Sequence, residues 1–142
     1  MTAQVDIEPG GDEERSELFA FAKSVFGTHG GWDDQRALDA LERDAVFVAR
    51  IDGSLAGYVA LRPEEETFRI EQLLVVPHHE GEGVGRRLLA HAEGYAIAQG
   101  ATSVQIVVES DNETALGFYR RSGFVPVGEQ LYELSLPKEE ER

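Results

Sequence analysis

The sequence predicts an α/β fold of the mixed α+β kind. A central mixed, mostly antiparallel sheet carries helices on both faces, in the order β-α-α-β-β-β-α-β-α-β-β. Three observations predict it. Apolar residues recur at helical spacing in two long stretches, Leu18, Ala22, Val25 and Phe26 in the first and Val84, Leu88, Ala92, Tyr95 and Ala96 in the second. Between them the dipeptide Asp52-Gly53 joins two apolar runs, a tight-hairpin signal. Residues 67–108 then read strand, glycine-rich loop, long helix, strand, which is a βαβ unit with a parallel crossover.

Each element has its own signal. Val5, Ile7 and Pro9 suggest a short first strand ended by Gly10-Gly11. A helix follows from Asp12 to Phe26, with acids in its first turn facing the positive end of the helix dipole. Residues 27–31 form a break, and Asp33 or Asp34 caps a second helix that reaches about Leu41. Residues 45–51 and 54–61 are the hairpin arms, and the polar run PEEET is a turn. A third strand over residues 67–76 is stopped by Pro77. The long helix covers residues 83–99 and ends at Gly100. The apolar run 103–108 (SVQIVV) reads as a buried strand, residues 112–122 as a helix, and residues 124–136 as two short strands around Gly128. The polar tail PKEEER is expected to fray.

With 142 residues the chain suits one domain with a proper core, residues 1–142, and no repeat or linker divides it. No apolar run approaches the roughly 18 residues needed to span a membrane, and the acidic start argues against a leader peptide. The absence of cysteine removes disulfides, thiolate ligands and cysteine nucleophiles, which fits a cytoplasmic protein. The net charge of -14 repels nucleic acid and anionic membrane. It serves solubility or steers a cationic substrate, and composition leaves both open.

The segment VVPHHEGEGVGRRLL carries the strongest chemical signal. Gly81, Gly83 and Gly85 stand between the end of a strand and the start of a helix. Glycines there let the backbone turn tightly and present N–H groups to an anion, aided by the helix dipole. A pyrophosphate suits such a loop. A Walker loop requires Gly-Lys-Ser/Thr, where this chain has Gly85-Arg86-Arg87. A dinucleotide fold places its loop after the first strand, with an acid about 20 residues later. Neither pattern is met.

The stretch V-x-P-x-x-x-G-x-G-x-G-R-x-L-L from Val75 to Leu89 resembles the acyl-CoA loop of the GCN5-related N-acetyltransferases (GNAT family). Asn112, Ala115, Tyr119, Gly123 and Phe124, at the spacing N-x-x-A-x-x-x-Y-x-x-x-G-F, resemble that family's following segment. The resemblance covers nearly the whole chain. One departure is Glu80, at a position where the family usually has Gln or Arg. A carboxylate there repels a pyrophosphate unless it points away, with Arg86 or Arg87 compensating.

The resemblance implies an acetyl-CoA-dependent N-acetyltransferase in which an amine attacks the bound thioester directly, with acetyl-CoA as co-substrate and no metal. It places the backbone of Leu73, Leu74 and Val75 along the pantetheine arm, with an N–H near Leu74 or Val75 polarising the thioester carbonyl. It gives the pyrophosphate to Gly81, Glu82, Gly83, Val84, Gly85 and Arg86, and a pantetheine contact to Asn112. Tyr119 becomes the acid that protonates the departing thiolate, the alternative being a plain core aromatic. Glu71 is the leading base, since the positions used by some relatives hold Arg69 and Val107; Glu109 or a water chain are the others. Strand alternation places Glu71 beside Leu73 and Val75 unless a bulge intervenes. The alternative for Glu71 is a solvated residue or an arginine partner.

The implied acceptor is a small-molecule or peptide amine, with cationic ones favoured by the charge. A non-catalytic acyl-CoA sensor or interaction module is the rival reading. His78 and His79 are expected to face solvent without a zinc partner. His29, beside Trp32, is a surface-loop residue or part of an acceptor pocket. The resemblance implies a homodimer through the C-terminal strands or a monomer.

Overall fold

The computed structural model describes residues 4–27 and 33–137. The elements are β1 (Asp6–Pro9), α1 (Asp12–Phe26), α2 (Asp34–Arg43), β2 (Ala45–Ile51), β3 (Ser54–Glu64), β4 (Thr67–Val75), α3 (Val84–Ala98), β5 (Ser103–Val107), α4 (Glu113–Arg121), β6 (Val125–Gly128) and β7 (Leu131–Ser135). Their order is the one predicted. The sheet runs β1-β2-β3-β4-β5-β7-β6, antiparallel throughout except for the parallel pair β4–β5.

Local chemistry explains the boundaries. The side chain of Asp33 accepts from the N–H of Arg36 and caps α2. Asp52 and Gly53 both take positive φ, so Ile51 and Ser54 face each other across a two-residue turn. β3 runs past Leu61 through Pro63, so the turn before β4 is shorter than PEEET suggested. β2 starts opposite Leu61. Residues 62–64 therefore lie beyond its end, where a proline has no β2 ladder to break.

Two apolar clusters sandwich the sheet. On one face α3 buries Val84, Leu88, Leu89, Ala92, Ala96 and Ile97 against Phe47, Val59, Leu61, Ile70 and Val104. On the other, Leu18, Ala22 and Leu41 of α1 and α2 cover Val46, Val48, Tyr58 and Ala60 of β2 and β3. Helices thus lie on both faces, but the apolar cluster on the second face draws its buried strand residues from β2 and β3 alone. β5 is consequently covered by the apolar core on one side only, with Ser103 the buried residue on the other. Val104 and Ile106 are in the core, whereas Val107 is 50% exposed and Gln105 half-buried. The expected buried strand thus holds for Ser103, Val104, Ile106 and Val108 and fails at Val107: an apolar run shows what a strand tolerates, not which neighbours cover it.

Candidate active site

β4 and β5 are in register only at Thr67↔Ser103, Phe68↔Val104 and Arg69↔Gln105. Beyond these pairs the two strands part. From Ile70 to Val75, β4 is bonded to β3 alone, and its other edge faces the gap. Leu73, Leu74 and Val75 lie on this stretch, with Leu73 and Val75 packed toward α3 and Leu74 toward α1 and α2. Gly57 lies opposite Val75. A Cβ on it would stand 2.5 Å from the Leu74 carbonyl oxygen and 3.2 Å from Val75 Cα. β3 thus approaches β4 as closely as backbones allow, which fixes the strand that borders the gap. The sequence signal for this was a glycine inside an apolar strand, and it was missed.

The loop after β4 opens with a short 3-10 turn, Pro77–His79. Gly81 and Gly83 both have φ +84, and a Cβ on either would meet nothing within 4 Å, so the loop faces open space. Among the described residues, none of the N–H groups of residues 81–86 donates to a backbone or side-chain acceptor; the helical ladder starts at Arg87, which donates to Gly83. Gly81, Glu82, Gly83, Val84, Gly85 and Arg86 therefore present free donors at the positive end of a 15-residue helix. Glu82's carboxylate lies 2.8 Å from His79 Nδ1. That contact corrects the expectation for His79, whose side chain is only 14% exposed; His78 is exposed as expected. Glu80 is also exposed. His29 and Trp32 lie outside the described residues.

α4 closes the site from the α3 side. Asn112 caps it, its Oδ1 accepting from the Ala115 N–H at 3.2 Å. The ring of Phe118 reaches the start of α3, where its Cζ and the Val75 Cγ2 each stand 3.6 Å from a Cβ placed on Gly85. The end of β4, the loop and α4 therefore meet at one place. Phe118 is the residue that joins them, a role that no motif in the sequence marks. Tyr119 is 6% exposed and sits edge-on between Phe118 and Phe124, with ring centroids 5.0 and 5.2 Å away. Burial pushes its phenol well above the ordinary tyrosine pKa, so it is neutral at physiological pH.

Glu71 is not beside Leu73 and Val75. The register slips between Ala60↔Gln72 and Leu61↔Ile70, which makes Glu71 the extra residue of a β-bulge. The bulge turns it to the opposite face, where its carboxylate meets the Arg62 guanidinium at 2.9 Å. Arg62 also approaches Asp44 and Glu64, each at 3.9 Å. Arg69 bonds Gln105 at 3.2 Å, and Gln105 donates to Glu133 at 2.8 Å. Next to this row lies a hollow of about 670 Å³ lined by Glu64, Glu65, Glu66, Ser103, Gln105 and Glu133. Val107 and Glu109 are exposed at and just past the end of β5.

Known proteins share this fold. The profile of the acetyltransferase (GNAT) family matches residues 13–124. The chain is 36% identical over 108 residues to the streptothricin acetyltransferase of Streptomyces lavendulae, covering 73% of this chain and 57% of that protein. It is 36% identical over 98 residues to the mycothiol acetyltransferase of Clavibacter michiganensis, covering 68% of this chain and 32% of that one. The chain thus spans less than two thirds of either relative's length. A GNAT family acetyltransferase of Brucella melitensis, solved in complex with acetyl-CoA, superposes with a TM-score of 0.74 at 21% identity, covering 96% of this chain and 93% of that one. The family match and the shared fold identify the chain as a member of the acetyltransferase (GNAT) family.

Proposed function

We propose that the chain, acting as one domain over residues 1–142, transfers an acetyl group from acetyl-CoA to a primary amine by direct attack in a ternary complex. The observation that carries this reading is the unpaired edge of β4 leading into the free N–H groups of residues 81–86. The amides of a pantetheine arm bond that edge as a further strand would. The pyrophosphate then falls at the loop, and Asn112 flanks the arm from α4. An N–H at Leu74 or Val75 polarises the thioester carbonyl.

The amine nitrogen attacks that carbonyl, forming the N–C bond as the C–S bond breaks. Its surplus proton goes to Glu71, directly or through water, and Tyr119 gives its proton to the leaving thiolate. A phenol held neutral by burial is a weak acid. A thiolate released into the same apolar surroundings is a correspondingly stronger base, which keeps the transfer feasible.

The acidic hollow and the net charge of -14 support a cationic acceptor arriving from the face that carries Glu71. Relatives named for streptothricin and mycothiol support a small-molecule acceptor. One observation favours the rival reading of an acyl-CoA sensor: Glu71 already has a cationic partner in Arg62. The test is a thermal-shift titration with acetyl-CoA and CoA, run with a panel of amines and a thiol-release readout. The proposal expects a saturable shift and thiol release with at least one amine class. A shift without release on any amine supports the sensor, and no shift at millimolar acetyl-CoA rules out both.

A further inference from the structure

The chain carries 27 acidic against 13 basic side chains, and five of the lysines and arginines whose side chains are described have found carboxylates. Arg15, Lys23, Arg50, Arg62 and Arg69 all lie in ion pairs. Arg86 and Arg87 at the start of α3, and Arg120 and Arg121 at the end of α4, have no ion pair or hydrogen bond from their guanidinium groups among the described residues. In so acidic a protein, these two arginine pairs on two adjacent helices concentrate cationic side chains at one place.

A groove of about 250 Å³ runs between those helices. One wall is the α3 stripe Arg86, Leu89, Ala90 and Glu93, spaced i, i+3, i+4, i+7; the other is Phe118, Arg121 and Ser122 of α4 and its cap. Arg121 folds back along α4. Its Nη1 would lie 2.9 Å from a Cβ on Gly117, so the absence of a side chain there makes room for the guanidinium on the groove side. Phe118 ties the groove's upper end to Gly85, the last glycine of the anion loop. The groove therefore continues from the free N–H groups of residues 81–86. It is cationic at that end and closed by the half-buried Glu93 two turns further down.

We propose that this groove is a second phosphate site, in which Arg121, with Arg86, binds the 3′-phosphate on the ribose of coenzyme A and lets the protein distinguish CoA from 3′-dephospho-CoA. The inference rests on the acetyl-CoA reading above and extends it to a specificity-determining residue. A pyrophosphate held at the loop is joined through one ribose to a further phosphate. An arginine fork matches that dianion's oxygens better than an ammonium would. The site also accounts for how a loop bearing Glu80 and Glu82 holds a polyanion: the compensating charge sits one helix away. Arg121 is exposed, so replacing it removes no core packing.

The experiment is isothermal titration of the full chain with CoA and with 3′-dephospho-CoA, on the parent protein and on Arg121→Gln, Arg121→Lys and Arg120→Gln. The parent should bind CoA roughly 10-fold more tightly than 3′-dephospho-CoA, as a charge-assisted contact implies. In Arg121→Gln that preference should shrink to about twofold or less, with affinity for 3′-dephospho-CoA unchanged. Arg121→Lys should keep part of the preference, and raised salt should erode the parent's. Equal binding of both ligands by the parent overturns the proposal while leaving the acetyl-CoA reading intact. So does an Arg121→Gln variant that loses both ligands equally, or an Arg120→Gln variant that alone abolishes the preference. A parent that binds neither ligand overturns the acetyl-CoA reading and this inference with it.

Discussion

Tyr119 combines two properties that pull on its proposed role in opposite directions. Its burial between Phe118 and Phe124 fixes the ring and keeps the phenol protonated, yet the same burial weakens it as an acid. If it protonates the departing thiolate, Tyr119→Phe removes one oxygen and little packing. The expected result is a kcat about 100-fold lower with KM for acetyl-CoA nearly unchanged. An undiminished kcat hands the proton to water or another residue. Glu71→Gln is the matching test on the other proton. It should lower kcat about 10-fold or more with KM for acetyl-CoA nearly unchanged, and an undiminished kcat would leave Glu71 as the partner of Arg62 only. The place of Tyr119 on α4 was legible in the sequence because it depends on spacing from Asn112 and Gly123-Phe124, which a helix preserves. The sequence misplaced Glu71 because alternation along β4 continues on paper, whereas the bulge that reverses the side chain is decided by the register with Ala60 and Leu61.

Among the elements, the β3–β4 pair borders the proposed site, and its tolerance is set by Gly57. The atoms that a Cβ would strike are the backbone of Leu74 and Val75, which has no rotamer to escape into. Gly57→Ala should therefore force the strands apart at the gap. It should cost about 1–3 kcal/mol of stability and weaken acetyl-CoA binding, as read by melting temperature and titration. Gly94→Ala in α3 is the contrasting case. A Cβ there meets nothing within 4 Å, so the substitution should stabilise by about 0.5–1 kcal/mol and leave binding alone. If both variants behaved alike, the close approach of β3 to β4 would not be what limits position 57. Element order was legible throughout, because periodicity, the Asp52-Gly53 turn and the cap at Asn112 are local signals. The divergence of β4 from β5, and the side of β5 left without a helix, were not. The first depends on how far two distant strands stay in register and the second on which strands α1 and α2 reach, tertiary facts that no window of sequence contains.

For the molecule as a whole, a phenol is buried against each face of the sheet, Tyr58 of β3 under α1 and α2 and Tyr119, carried by α4, in the cluster on the other side. Tyr58 is 0% exposed, donates to Gln72 Oε1 at 2.6 Å and, like Tyr119, has its pKa raised by burial. Both folded-state values lie above the unfolded value of about 10. Below that pH the phenols are neutral in both states, and the stability of keeping them buried is fully present. As pH rises past it, the unfolded chain releases protons that the folded chain still holds. Stability then falls by up to about 1.4 kcal/mol per pH unit for each tyrosine until the folded-state pKa is reached. The high net negative charge adds self-repulsion in the same direction. The melting temperature should therefore change little on the tyrosines' account from neutral pH to about pH 9.5 and drop steeply above it. The phenolate absorbance of Tyr58 and Tyr119 should appear only together with loss of the circular dichroism of the folded state. Tyr119→Phe should reduce the steepness of that loss by removing one of the two contributions. A full four-tyrosine phenolate signal from a protein whose dichroism stays native would show that the two rings reach water in the folded state. The account of Tyr119 as an acid kept neutral by its surroundings would then have to be given up.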